Sequence, residues 1–109
     1  MSDSEVLRTR AQYSAGFLDG RGCISVGRSV QVVIGSRDPG RLHWLVDRWG
    51  GRVYRSSADR EILSGGHEYW EWRLQDRAHL VPFLEAIRPH VIFQAGNLER
   101  ALTVLRRVA

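Results

Sequence analysis

From Tyr69 to Gln75, hydrogen-bonding side chains hold every second position: Tyr69, Glu71, Arg73 and Gln75 alternate with Trp70, Trp72 and Leu74. On a β-strand that spacing sends the polar set to one face and the apolar set to the other. Cys23, Ser25, Gly27, Ser29 and Gln31, together with Arg55, extend the same small or polar pattern to neighbouring extended segments. Such a face is either a solvated sheet surface or one whose alternate side chains reach base edges in the major groove of a duplex. For the second case Arg55, Glu71, Arg73 and Gln75 are the leading base-reading candidates, with Ser25, Gln31 and Tyr69 behind them. Arg28 and Arg37 suit backbone contacts. These assignments rest on strand parity, because a slip of one residue exchanges the two faces.

Charge points to the same class of partner. Sixteen basic residues face twelve acidic ones for a net charge of +4, and all sixteen are arginine. Arginine stays charged and presents a planar fork to phosphate and to guanine, so the balance favours a polyanionic partner. A GC-rich genome would produce the same lack of lysine. The four histidines, His43, His67, His79 and His90, are scattered, and Cys23 is the single cysteine. No disulfide framework, zinc cluster or nucleophilic constellation follows from them. No stretch approaches the ~20 apolar residues of a membrane span. The opening Met1-Ser2-Asp3-Ser4-Glu5 carries acids where a secretory leader carries a basic run. The expectation is a cytoplasmic, nucleoid-associated protein with no membrane partner.

The elements that must position these residues follow from periodicity. At 109 residues the chain is long enough for a single domain over 1–109, with 1–4 as a flexible head. Ser4 or Asp3 is expected to cap a helix over 5–19 that Gly20 and Gly22 stop. Strands over 23–28 and 30–34 form a hairpin. Asp38-Pro39 opens a helix with a Leu42, Leu45, Val46 and Trp49 stripe, ended by Gly50-Gly51. A second hairpin pairs 53–56 with 69–75 across an exposed loop over 57–66. Helices over 77–87 and 95–108 close the chain, with Pro89 between them. Trp44, Trp49, Trp70 and Trp72 are expected in the core. The pattern predicts an α+β fold, a four-stranded antiparallel sheet with helices on one face.

Within the first helix, Gly16 and Gly20 lie four apart on one face beside Ala15 and Asp19. A face this small lets two helix backbones approach closely. Interior glycines cost ~1 kcal/mol each relative to alanine, which asks for a packing reason. The segment Tyr13-Ser14-Ala15-Gly16-Phe17-Leu18-Asp19-Gly20-Arg21-Gly22-Cys23 resembles the motif helix of the LAGLIDADG homing endonucleases. Ser14 to Asp19 stand at the motif's leucine, alanine, glycine, two apolar residues and first aspartate. Gly50-Gly51, the Tyr69 and Trp72 spacing, Pro89 and the element order αββαββα followed by a C-terminal helix extend the resemblance over nearly the whole chain. It implies a homodimer on double-stranded DNA, paired through Ala15, Gly16, Asp19 and Gly20.

The resemblance also carries two departures. In that family the acid before the motif's last glycine holds a divalent metal at the scissile phosphate; here it is Arg21. A guanidinium cannot ligate magnesium, which takes oxygen donors. Asp19 matches the inner aspartate, which has a packing and capping role. The family's lysine near the last helix is replaced by Gln94, and Asn97 stands at the following glutamine position. No catalytic residue and no metal ligand is therefore assigned; Arg21 and Gln94 mark degenerate positions, and magnesium is implied only if cleavage persists. The expectation is a non-cleaving DNA-binding homodimer, a regulator or a degenerate homing endonuclease. Alternatives are an active metal-dependent endonuclease with an atypical site and an RNA-binding intron maturase.

Overall fold

The computed structural model describes residues 2–56, 65 and 68–107. Helix α1 (Asp3–Arg21) begins two residues earlier than its periodicity suggests. Ser2, rather than Ser4 or Asp3, is the cap: the Glu5 N–H donates to its Oγ at 3.2 Å. Asp3 and Glu5 then fall in the first turn and Arg21 in the last, the arrangement the helix dipole favours. From Ser2 onward the expected flexible head is therefore the cap and first turn of α1.

Gly20 does not stop this helix, which runs on to Arg21 and passes directly into β1 (Gly22–Val26). A Cβ at Gly22 would lie 2.6 Å from the Val33 carbonyl oxygen and 2.8 Å from Ile34 Cγ1, so the junction requires glycine. Strand β2 (Val30–Ser36) pairs antiparallel with β1, Gly22 opposite Ile34 and Val26 opposite Val30. Gly27, Arg28 and Ser29 form the turn instead of extending the strands, and the Gly27 N–H donates to the Ser29 carbonyl at 3.1 Å.

Helix α2 (Pro39–Trp49) has Asp38 as its cap, accepting from the Gly40 N–H at 2.9 Å. It ends at Gly50, and both Gly50 and Gly51 have φ of +86°, a region side chains avoid. The Gly50 carbonyl accepts from Trp72 Nε1 at 2.8 Å, which locks this corner onto the core. Strands β3 (Arg52–Arg55) and β4 (Trp70–Leu74) complete a sheet of order β1-β2-β4-β3. The expected loop over 57–66 lies outside the described residues except for Gly65. Helices α3 (Arg77–Ile87) and α4 (Ala95–Arg107) follow. Pro82 sits inside α3 at an exposed position.

Ile24, Val30, Val32, Ile34, Trp72 and Leu74 bury one face of the sheet against Leu18, Leu42, Leu45, Phe83, Leu84, Leu98 and Leu102. Trp72 and Trp49 each meet Phe83 edge-on at 5.3 Å, and Trp44 and Trp70 pack half-buried against the same core. Burial of a leucine or phenylalanine is worth ~1.5–3 kcal/mol. Leu18 alone thus offsets much of what Gly16 and Gly20 cost α1. Ser14, fully buried on that helix, accepts from Trp49 Nε1 at 2.9 Å and donates to the Arg10 carbonyl at 2.8 Å. No helix among the described residues is long and apolar enough to cross a membrane.

Candidate nucleic-acid interface

Among the described residues, no helix packs on the second face of the sheet. Its residues follow from register: Cys23 opposite Val33, Ser25 opposite Gln31, Val33 opposite Arg73, Gly35 opposite Glu71. On β3 the outward positions are Arg52, opposite Arg73, and Tyr54, opposite Glu71. Gln75 joins this face by donating from Nε2 to Gln31 Oε1. Tyr69 belongs to it as well. A Cβ at Gly35 would meet the Tyr69 ring at once (2.0 Å from Oη), so the ring lies across Gly35. Ser25, Gln31, Tyr69, Glu71, Arg73 and Gln75 are thus brought together as expected.

Arg55 is not among them. It pairs with Trp70 and shares the parity of Val53, toward the helical layer. Its exposed guanidinium lies 3.7 Å from Glu68. The physical reason is period two: with Val53 packed on the core, Arg52 and Tyr54 must point outward and Arg55 the other way. The apolar Val53 was the signal that would have found Arg52 and Tyr54. Arg28 is exposed at the β1–β2 turn, and Arg37 is exposed just beyond β2.

A second basic cluster lies where α1 ends. Arg21, exposed, lines an open depression with Arg37, Arg41, Ser36 and Asp38. Among the described residues Asp38 is the one carboxylate lining it; Asp38 caps α2 and lies 3.7 Å from Arg41. Arg21 is in no ion pair among the described residues. Asp19, the neighbouring acid, is committed elsewhere: it accepts from the N–H groups of Ile92 (2.6 Å), Phe93 (3.2 Å) and Gln94 (3.0 Å). It therefore caps the approach to α4. Three guanidinium groups around one engaged carboxylate do not suit a divalent cation, which needs several oxygen ligands. No three potential metal ligands converge among the described residues.

Gln94 is a brace. Its Oε1 accepts from the Ile24 N–H at 3.4 Å and from Asn97 Nδ2 at 3.3 Å, and its Nε2 lies 3.5 Å from the Gly22 carbonyl. The start of α4 is thereby tied to β1 beside Arg21.

The outer stripe of α1 is bare. Beyond the backbone of α1 itself, a Cβ at Gly16 or at Gly20 would meet no described atom within 4 Å. Shallow depressions flank the stripe, one lined by Tyr13 and Phe17, the other by His90, Ile92 and Phe93. Ile92 and Phe93 are 74% and 82% exposed, the most exposed of the large apolar side chains described. Ala15 is fully buried in the chain's own core, so it is not part of this surface, and Asp19 bonds within the chain. Gln12, Gly16 and Gly20 form the exposed stripe.

Beyond the sheet, Asp76 at the start of α3 bonds His79 Nδ1. That hydrogen bond, aided by the charge of the ring, holds the Asp76 carboxyl below the usual aspartate range.

No family model and no curated protein sequence matches the chain. Solved structures match it over most of its length. The homing endonuclease I-CvuI, in complex with an I-CreI target that remained uncleaved in magnesium, superposes with a TM-score of 0.76 at 15% identity, over 94% of this chain and 69% of that one. The LAGLIDADG meganuclease I-AabMI bound to uncleaved DNA gives 0.69 at 18% identity, over 90% of this chain and 36% of that one. The homing endonuclease I-TnaI gives 0.60 at 23% identity, over 89% and 69%. The chain has the fold of the LAGLIDADG homing endonucleases.

Proposed function

We propose that this chain is a sequence-specific, double-stranded DNA-binding homodimer that holds its target without cutting it, as a regulator or a degenerate homing endonuclease. The open sheet face, with Arg52, Tyr54, Arg73, Gln31 and Gln75 projecting from it, supports the binding. Solved proteins of the same fold carry DNA. The bare Gly16 and Gly20 stripe, bordered by exposed Ile92 and Phe93, supports pairing with a second copy across a twofold axis.

The observation that carries the non-cleaving reading is Arg21. It ends α1 beside Arg37 and Arg41, in no ion pair among the described residues, at the position where resemblance to the family calls for a metal-binding acid. A twofold would bring two copies of this cluster to the centre of the site. Guanidinium groups there neutralise backbone phosphate, and they repel the cations that hydrolysis by metal-bound water needs. No cofactor is required for binding.

The test is a supercoiled plasmid carrying a selected target, titrated with magnesium beside a mobility shift. The plasmid is expected to stay supercoiled at protein concentrations that shift the duplex. Double-strand cutting would show an active endonuclease with an atypical site, and a shift of intron RNA in place of duplex DNA would show a maturase. Arg21→Ala should flatten the salt dependence of binding by ~0.9 in log–log slope per subunit, one phosphate each. An unchanged slope removes the proposed contact.

A further inference from the structure

Arg52 and Arg73 are direct cross-strand partners on the open face. Like charges in that position destabilise a sheet. One of the two is balanced within the sheet itself: Arg73 Nη2 and Nε lie 3.1 Å and 3.3 Å from Glu71 Oε2. The Glu71 side chain is only 7% exposed, whereas that of Arg73 keeps 39%. Tyr54, directly opposite Glu71, forms a further wall, its ring centre 4.8 Å from Arg73 Cζ. The guanidinium is therefore held on one side by a nearly buried carboxylate and on another by an aromatic face.

We infer that Arg73 reads one guanine in each half-site of the target, with Glu71 as its positioning residue and Tyr54 as its stacking wall. This rests on the DNA-binding reading and adds to it which base is specified and how. A guanidinium carries five N–H donors. Glu71 engages the Nε and Nη2 side, leaving the terminal Nη1–Nη2 edge, the fork that fits O6 and N7 of guanine. Because the side chain is already oriented, little rotamer freedom remains to be lost on binding. Strand β4 lies inside the sheet between β2 and β3, so Arg73 faces the floor of a groove instead of its phosphate rim. Glu71, covered and ion-paired, is not itself a base reader.

Selection from a random duplex library, run with the full chain and with R73K and E71Q, tests this. The parent chain should enrich guanine at one position in each half-site of a palindromic consensus, preferred about 5- to 150-fold over other bases, the range of one bidentate arginine–guanine pair. R73K keeps the charge and loses the fork, so preference should vanish at that position alone, with the salt slope unchanged. E71Q leaves Arg73 charged and loosens it; discrimination at that same position should fall while binding to unselected duplex does not weaken. Loss of non-specific binding in step with preference would mark Glu71 as merely structural and overturn its positioning role. A consensus that R73K leaves intact would overturn the guanine contact and leave DNA binding standing, as expected if Arg73 only met phosphate. Failure of the parent chain to enrich any duplex would overturn both.

Discussion

Gly16 and Gly20 make the sharpest test, because a helix surface open to solvent and one that receives a partner respond to substitution with opposite signs. Outside the backbone of α1, neither position has a described atom within 4 Å of an added Cβ in the single chain. If that surface faced water, Gly16→Ala with Gly20→Ala would be free of clashes and would gain ~1 kcal/mol per site from helix propensity, about 2 kcal/mol together. For a domain near this size that raises the melting temperature by roughly 4–8 °C per kcal/mol. If two α1 helices meet there, each methyl group instead pushes the backbones apart, and leucine at either site blocks the approach. The measurement is sedimentation velocity with thermal melts at two concentrations a hundredfold apart. The parent chain should sediment as a dimer and melt higher when concentrated, as linkage to assembly requires. Gly16→Leu and Gly20→Leu should sediment as monomers whose melting no longer depends on concentration. Leucine variants that remain dimeric, or an alanine pair that yields the full propensity gain without altered assembly, would refute the pairing of these faces.

Register supplies a second contrast: Arg52→Ala should weaken duplex binding and flatten its salt dependence, whereas Arg55→Ala should leave base preference unchanged, both read by mobility shift across a salt series. Asp19→Ala removes the acceptor for three backbone N–H groups ahead of α4 and should cost about 1–2 kcal/mol in chemical denaturation, within the range of a lost helix cap. Asp76 should titrate below a free aspartate by NMR, and His79→Ala should bring its midpoint up. Since its folded pKa lies below its unfolded one, this carboxyl stabilises the fold above the usual aspartate range. That contribution is lost as pH falls through the folded value.

Most of the fold was legible because its signals are local. The bounds of α3 follow from Leu80, Phe83, Leu84 and Ile87, and α2 from an Asp38-Pro39 start with a Gly50-Gly51 stop. Four of the open-face residues were legible from the strict alternation around Trp70, Trp72 and Leu74. The short Arg52-Val53-Tyr54-Arg55 strand was misread because it has a single apolar residue to set parity, and Arg55 was placed on the wrong side of it. The extent of α1 was misread because glycine signals a stop only when no neighbouring face supports the helix. Here Ala11, Ser14, Ala15 and Leu18 are buried beneath it, so it continues through Gly20.

The amino-acid order alone determined the element sequence, the basic balance and the small-residue stripe of Gly16 and Gly20. These depend on residue type and on spacing within one segment. Only the folded chain decided that Asp19 spends its carboxylate on the start of α4 and that Gln94 braces β1. The same holds for Arg73, which comes to lie between Glu71 and Tyr54. Each of these joins side chains from different segments or strands, whose partners are set by sheet register and helix packing. No local periodicity encodes such distances.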